Sequence, residues 1–142
     1  MKILLALFVL LFSSSVVAGD DLTGKKILCI GDYEEANVLE NYSFDFLSRN
    51  IVKVNDSHPD ESIGENELEY ETHPKYIRIN FISYIILRIN RESLVLGKKY
   101  LHHDFIAIGT CKIIEGTGSE LWKLLTDEID KQVEEIKEGN II

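Results

Sequence analysis

Tyr76-Ile77-Arg78-Ile79-Asn80-Phe81, followed shortly by Ile85-Ile86-Leu87-Arg88-Ile89-Asn90, decides the fold of this chain. Ile77, Ile79 and Phe81 alternate with Arg78 and Asn80, and Ile85, Leu87 and Ile89 are opposed by Arg88 and Asn90. A period of two places one apolar and one polar face on an extended strand, so each run reads as a half-buried β-strand. The same period continues on both sides. Upstream, His58-Pro59-Asp60 through Asn66 reads as a polar, acidic loop, Leu68, Tyr70 and Thr72 then alternate with Glu67, Glu69, Glu71 and His73, and Pro74-Lys75 turns the chain. Phe44 and Phe46, the turn residues Ser48-Arg49-Asn50, and then Val52 and Val54 read as a hairpin. Lys26 to Ile30 is a short first strand ended by Gly31-Asp32, and Tyr33 to Asn41 has the content of a short helix or ordered loop. Downstream, Leu94 and Leu96 follow a polar turn at Asn90 to Ser93, Gly97 to Asp104 reads as a polar loop, and Phe105 to Ile114 is the last strand.

The period changes after that strand. Thr117 with Glu120 forms a capping box, and Leu121, Leu124, Leu125, Ile129, Val133 and Ile136 trace one face of a helix over 118–138. Its opposite face carries Lys123, Asp127, Glu128, Lys131, Glu134 and Glu135, acidic on balance rather than rich in Lys and Arg as on a membrane-surface helix, so it is expected to pack on the sheet. The fold class is therefore mainly β, about eight short antiparallel strands with a C-terminal amphipathic helix. An up-and-down barrel is the economical closure because it leaves no exposed edges. A strongly curved open sheet stays open as the alternative.

The N-terminus is of another kind. Lys2, an apolar run from Ile3 to Phe12, three serines and Val16-Val17-Ala18 read as a secretory signal peptide over 1–18. The run is shorter than the about 20 apolar residues a spanning helix needs, so no stable membrane insertion is expected after cleavage. Residues 19–142 are then a single domain, expected to be soluble and secreted or periplasmic. In an oxidising compartment the only two cysteines, Cys29 and Cys111, are expected to form a disulfide. Such a bridge brings the first and last strands together and supports closure.

Composition bounds the partners. The chain has 24 acidic against 15 basic residues, a net charge of −9, and its bases are scattered among carboxylates. Nucleic acid, which is bound through clustered Lys and Arg, is excluded as an expected partner.

Leu22-Thr23-Gly24-Lys25-Lys26 leading to Cys29, Phe44-x-Phe46 with Val52-x-Val54, and Ile89-x-Arg91-x-x-Leu94 resemble small exported lipocalin-like β proteins, including uncharacterised bacterial families. The resemblance covers most of the mature chain and implies a barrel architecture.

Few constellations carry chemistry. His102-His103-Asp104, with His58 or His73 brought from elsewhere, is the one candidate metal cluster, and solvent-exposed loop histidines are the simpler reading. The acidic stretch Asp56 to Glu71 lacks the ligand spacing of a calcium loop. There is no nucleophile elbow, phosphate-binding glycine loop or His-Glu-x-x-His, so no catalytic residue, metal ligand or cofactor is assigned and a non-enzymatic protein is expected. Asn41-Tyr42-Ser43 and Asn55-Asp56-Ser57 are formal glycosylation sequons. Phe44, Phe46, Tyr70, Phe81 and Phe105 are expected largely on inward faces, as core or as the lining of a pocket for a small apolar or amphipathic ligand. The competing expectation is a protein-interaction or envelope-associated structural module with a solid core, and a metal-assisted enzyme using His102 or His103 ranks third.

Overall fold

The computed structural model describes residues 21–31, 40–57, 64–82 and 84–137, with the side chains of residues 57, 136 and 137 left aside. The leader expected over 1–18, most of the segment from Tyr33 to Asn41, and His58 lie outside the described residues.

Eight strands follow in order: β1 (Lys26–Gly31), β2 (Asn41–Phe46), β3 (Ile51–Ser57), β4 (Gly64–Thr72), β5 (Tyr76–Ile82), β6 (Ile85–Asn90), β7 (Val95–Tyr100) and β8 (Ile106–Ile114). Each pairs antiparallel with the next, and β1 pairs with β8, so the sheet closes into a barrel. Closure decides between the two architectures the sequence left open. The seam is covalent: Cys29 faces Cys111 across the β1–β8 ladder and the two are disulfide-bonded, their Cα atoms 4.0 Å apart. Gly109 sits on the same seam, where a Cβ would stand 2.5 Å from the Ile30 carbonyl oxygen, so glycine is what allows the strands to approach.

Strand alternation fills the interior. Ile27, Phe44, Phe46, Val54, Ile79, Leu87, Ile89 and Leu96 project inward into one buried cluster. Removing this apolar surface from water is the main favourable contribution to closure. A helix, α1 (Gly118–Lys137), packs outside the barrel on β1 and β2. Its Leu121, Leu125 and Ile129 bury against Leu28, which points outward from β1, with Ile30 and Ile114 at the margin. The Thr117 hydroxyl accepts from the Glu120 amide at 3.2 Å, as the capping box requires. Under the helix, Asn41 and Gln132 exchange amide hydrogen bonds at 2.7 and 2.9 Å, which satisfies two side chains that would otherwise be costly to bury.

Two loop expectations are corrected. Gly97 to Tyr100 belongs to β7 and Gly64 to Asn66 to β4. Neither segment has an apolar alternation, but backbone pairing requires none: Gly97 faces Arg88 and Lys98 faces Leu87 in the β6–β7 ladder. A register shift between Leu96 and Gly97 then changes which side chains of the β8 approach face inward. One consequence is that Phe105, expected inside, lies outside the barrel against Gly97.

Candidate functional site

The barrel has unequal ends. At one, residues 21–25 run beneath the wall: the Gly24 amide donates to the Phe46 carbonyl at 2.8 Å and Leu22 packs on the interior cluster. Phe46 and Tyr70 meet edge to face there with centroids 4.8 Å apart, and the Tyr70 hydroxyl donates to the Ser48 carbonyl at 2.6 Å. This end is plugged. At the other, the chain passes between β1 and β2, β3 and β4, β5 and β6, and β7 and β8, and polar groups point inward.

The centre of that mouth is Lys98. Its period-two neighbours on β7 are Leu96, which is fully buried, and Tyr100, so the ammonium projects toward the interior and is itself 7% exposed. Glu40, just before β2, meets it with an Oε1 to Nζ distance of 2.6 Å. The Tyr42 hydroxyl donates to the other Glu40 oxygen at 3.3 Å, and the Tyr100 ring lies 5.4 Å from the Lys98 ammonium. Asp56 faces Tyr42 directly across the β2–β3 ladder. Burial, and after it the charges of Glu40 and Asp56, push the Tyr42 phenol well above its ordinary range, so it stays a hydrogen-bond donor. Below this polar layer, Tyr42 stacks on Phe44 at 5.9 Å and meets Phe81 edge to face at 5.9 Å. Above it, Ile82, Tyr84, Tyr100, Leu101 and Ile106 form an exposed apolar rim on two neighbouring hairpins. A buried ion pair under an apolar rim offers a donor, an acceptor and an aromatic floor to one small molecule.

Lys98, Glu40 and Tyr42 are not legible as a site in the sequence. Gly97-Lys98-Lys99-Tyr100 reads as a polar loop, and Glu40 is 58 positions from its partner. The one available signal is spacing, since Lys98 falls two residues from Leu96 on what proves to be an inward face.

The residues that sequence reasoning singled out are dispersed. His102, His103 and Asp104 are exposed on the β7–β8 loop, the His103 amide donating to the Tyr100 carbonyl at 2.9 Å. His73 is at the opposite end, 3.3 Å from Glu71 and stacked on Tyr76 at 4.4 Å. Among the described residues, no group of three or more His, Cys, Asp or Glu side chains is placed to hold a metal ion. Glu65, Glu67 and Glu69 line the outer, solvent face of β4, Glu65 pairing with Lys53 at 3.0 Å. Both sequon asparagines are buried. Asn41 is held by Gln132, and the Asn55 amide donates to Ser43 at 3.2 Å, so neither is presented for a glycan.

The fold and its mouth define a small eight-stranded up-and-down barrel with a helix on its outer wall. No family model, curated protein or solved structure matches the chain. No helix among the described residues is long and apolar enough to cross a membrane. The disulfide is consistent with an extracellular or periplasmic protein.

Proposed function

We propose that this is an exported, non-enzymatic binding protein that takes a small apolar or amphipathic ligand at the mouth of the barrel. The observation that carries the reading is the Lys98–Glu40–Tyr42 cluster, turned inward at the end opposite the one closed by Leu22, Phe46 and Tyr70. An ion pair so placed adds little to stability, because desolvation offsets most of the Coulomb attraction. Its retention is better accounted for by a ligand head group that exchanges with one of its members. Tyr42, Phe81 and the rim side chains supply apolar contact for the remainder of such a ligand.

The test uses the mature chain and the uncharged apolar fluorophore 1-aminoanthracene, with laurate and dodecylamine as competitors. Saturable binding that weakens at least about tenfold in Lys98→Met and in Phe81→Ala supports the mouth as the site; that factor corresponds to about 1.4 kcal/mol. Binding that is absent, or unchanged in both variants, defeats it. A second reading, contact with a protein partner through the same rim, is favoured by the exposure of Ile82, Tyr84 and Leu101 above a well-filled interior. It predicts no fluorophore binding, together with a partner lost on Leu101→Asp.

A further inference from the structure

The outer wall carries a second concavity, which meets the rim of the mouth at Ile106 but is not lined by Lys98, Glu40 or Tyr42. It is a groove of about 600 Å³ between the outward faces of β5 to β8, floored by Val95, Gly97 and Ala107 and flanked by Tyr76, Arg88 and Phe105. Gly97 creates its depth. The Phe105 ring occupies the space beside the missing side chain, with a ring carbon 3.4 Å from where a Cβ would stand. There the ring lies over Arg88, whose guanidinium carbon is 3.8 Å from its centroid and 5.2 Å from that of Tyr76. Two rings therefore restrain one guanidinium without taking its N–H donors into conventional hydrogen bonds.

The charges around this groove are unbalanced in an otherwise acidic protein. Arg88 faces Arg78 directly across the β5–β6 ladder, an arrangement that like charges make unfavourable. Neither arginine has a carboxylate partner among the described residues, and the Nε of Arg78 is buried with no hydrogen-bond acceptor. Glu71 faces Arg78 from β4, yet its carboxylate engages His73. At the end of the groove, the Asn90 side-chain oxygen is occupied by the amides of Glu92 and Ser93, both at 2.9 Å, which leaves its NH₂ as a donor. Lys75 adds a second cation at the same end. Two arginines without a carboxylate partner among the described residues thus stand side by side on a chain with 24 acidic residues.

We propose that this groove is a second binding site, for a small organic carboxylate with a flat apolar body. The carboxylate would accept from the Arg88 guanidinium, whose planar fork matches it in a bidentate pair, and would offset the Arg78–Arg88 repulsion. The apolar body would lie against Phe105, Val95 and Ala107.

The experiment titrates the mature, disulfide-bonded chain with 2-naphthoate, followed by calorimetry and by backbone amide shifts. Saturable binding that perturbs Val95 to Gly97 and Phe105 to Ala107 is expected. Arg88→Gln should weaken it at least about tenfold, a loss in keeping with one charge-assisted hydrogen bond. Arg88→Lys, which keeps the charge and loses the fork, should weaken it by a smaller factor, and 2-naphthol should bind at least about tenfold more weakly than the acid. Equal binding of acid and alcohol, or undiminished affinity in a folded Arg88→Gln chain, overturns the proposal. Lys98→Met separates the two sites: 2-naphthoate affinity unchanged there supports the groove, and affinity lost there while Arg88→Gln retains it assigns the anion to the mouth and overturns the groove.

Discussion

At the plugged end of the barrel, Leu22, Phe46 and Tyr70 close the interior with apolar area, and the polar atoms they bring are satisfied by the backbone. At the mouth, Lys98 and Glu40 place an ion pair, and Tyr42 a neutral hydroxyl, on the inward face, with further apolar side chains exposed on the rim. Strand alternation is the same at both ends. What differs is the chemistry assigned to the inward face, and the difference separates the part of the wall closed by apolar packing from the part proposed for binding.

The seam serves both ends, so opening it should have the largest effect. Replacing Cys29 and Cys111 together by alanine removes a link across 82 residues and should cost about 4 to 5 kcal/mol on the chain-entropy account, read from denaturant midpoints. Next is the contrast itself. Phe46→Ala should cost about 3 to 5 kcal/mol because it leaves a cavity in a closed end, whereas Tyr100→Ala on the mouth should cost under about 1 kcal/mol. Equal losses would mean that the mouth is structural core as well.

Within the mouth, Lys98→Met removes the cation beside the partly desolvated Glu40 carboxylate, which keeps the Tyr42 hydroxyl as a donor, and should cost about 2 kcal/mol, less than for a fully buried pair because water still reaches both groups. Adding Glu40→Gln should recover at least half of that loss, since the double variant buries no unpaired charge. A smaller effect appears in alkali. Burial raises the phenols of both Tyr42 at the mouth and Tyr70 at the plugged end above the unfolded value. For a group whose folded pKa is raised, the contribution is fully present below the unfolded pKa and is lost as pH rises past it. Thermal stability should therefore fall above about pH 10. Tyr42→Phe should flatten that decline more than Tyr70→Phe, because the Tyr42 phenol faces the carboxylates of Glu40 and Asp56, whereas the charge of Arg49 partly offsets the rise at Tyr70. Leu101→Ser, on the exposed rim, should shift stability by no more than about 0.5 kcal/mol while altering ligand or partner binding.

Much of the architecture is legible in particular residues. Ile77 to Asn90, Phe44 to Val54 and Leu68 to Thr72 carry a clean period of two, and Thr117 with the Leu121, Leu125, Ile129 stripe carries the helix and its cap. The even cysteine count made the Cys29–Cys111 bridge the expected pairing, and the structure contains it. The legible part ends where side-chain pattern and backbone pairing diverge. Gly97 to Tyr100 is a strand without an apolar alternation, and Phe105 leaves the interior because of a register shift encoded by no single residue.

The surfaces proposed for binding are the least legible. His102 and His103 drew attention as neighbours in sequence, but adjacency on an exposed loop brings no third ligand to them. Lys98 and Glu40, and Arg78 with Arg88, read singly as ordinary solvated charges. Only the ladder registers reveal that one pair lies inside the mouth and the other stands side by side on the wall.

The sequence by itself determined the local periods: which segments extend, which one coils, which face of each is apolar, and that two cysteines were available to join its ends. These are nearest-neighbour properties, set by backbone geometry and side-chain polarity over a few residues. Tertiary structure alone decided that the sheet closes, that the helix covers β1 and β2 from outside, and that a lysine turns inward to meet a glutamate 58 positions away. Those outcomes depend on register and on a shift of one residue near Gly97, where a change of one position reverses the face of every side chain beyond it.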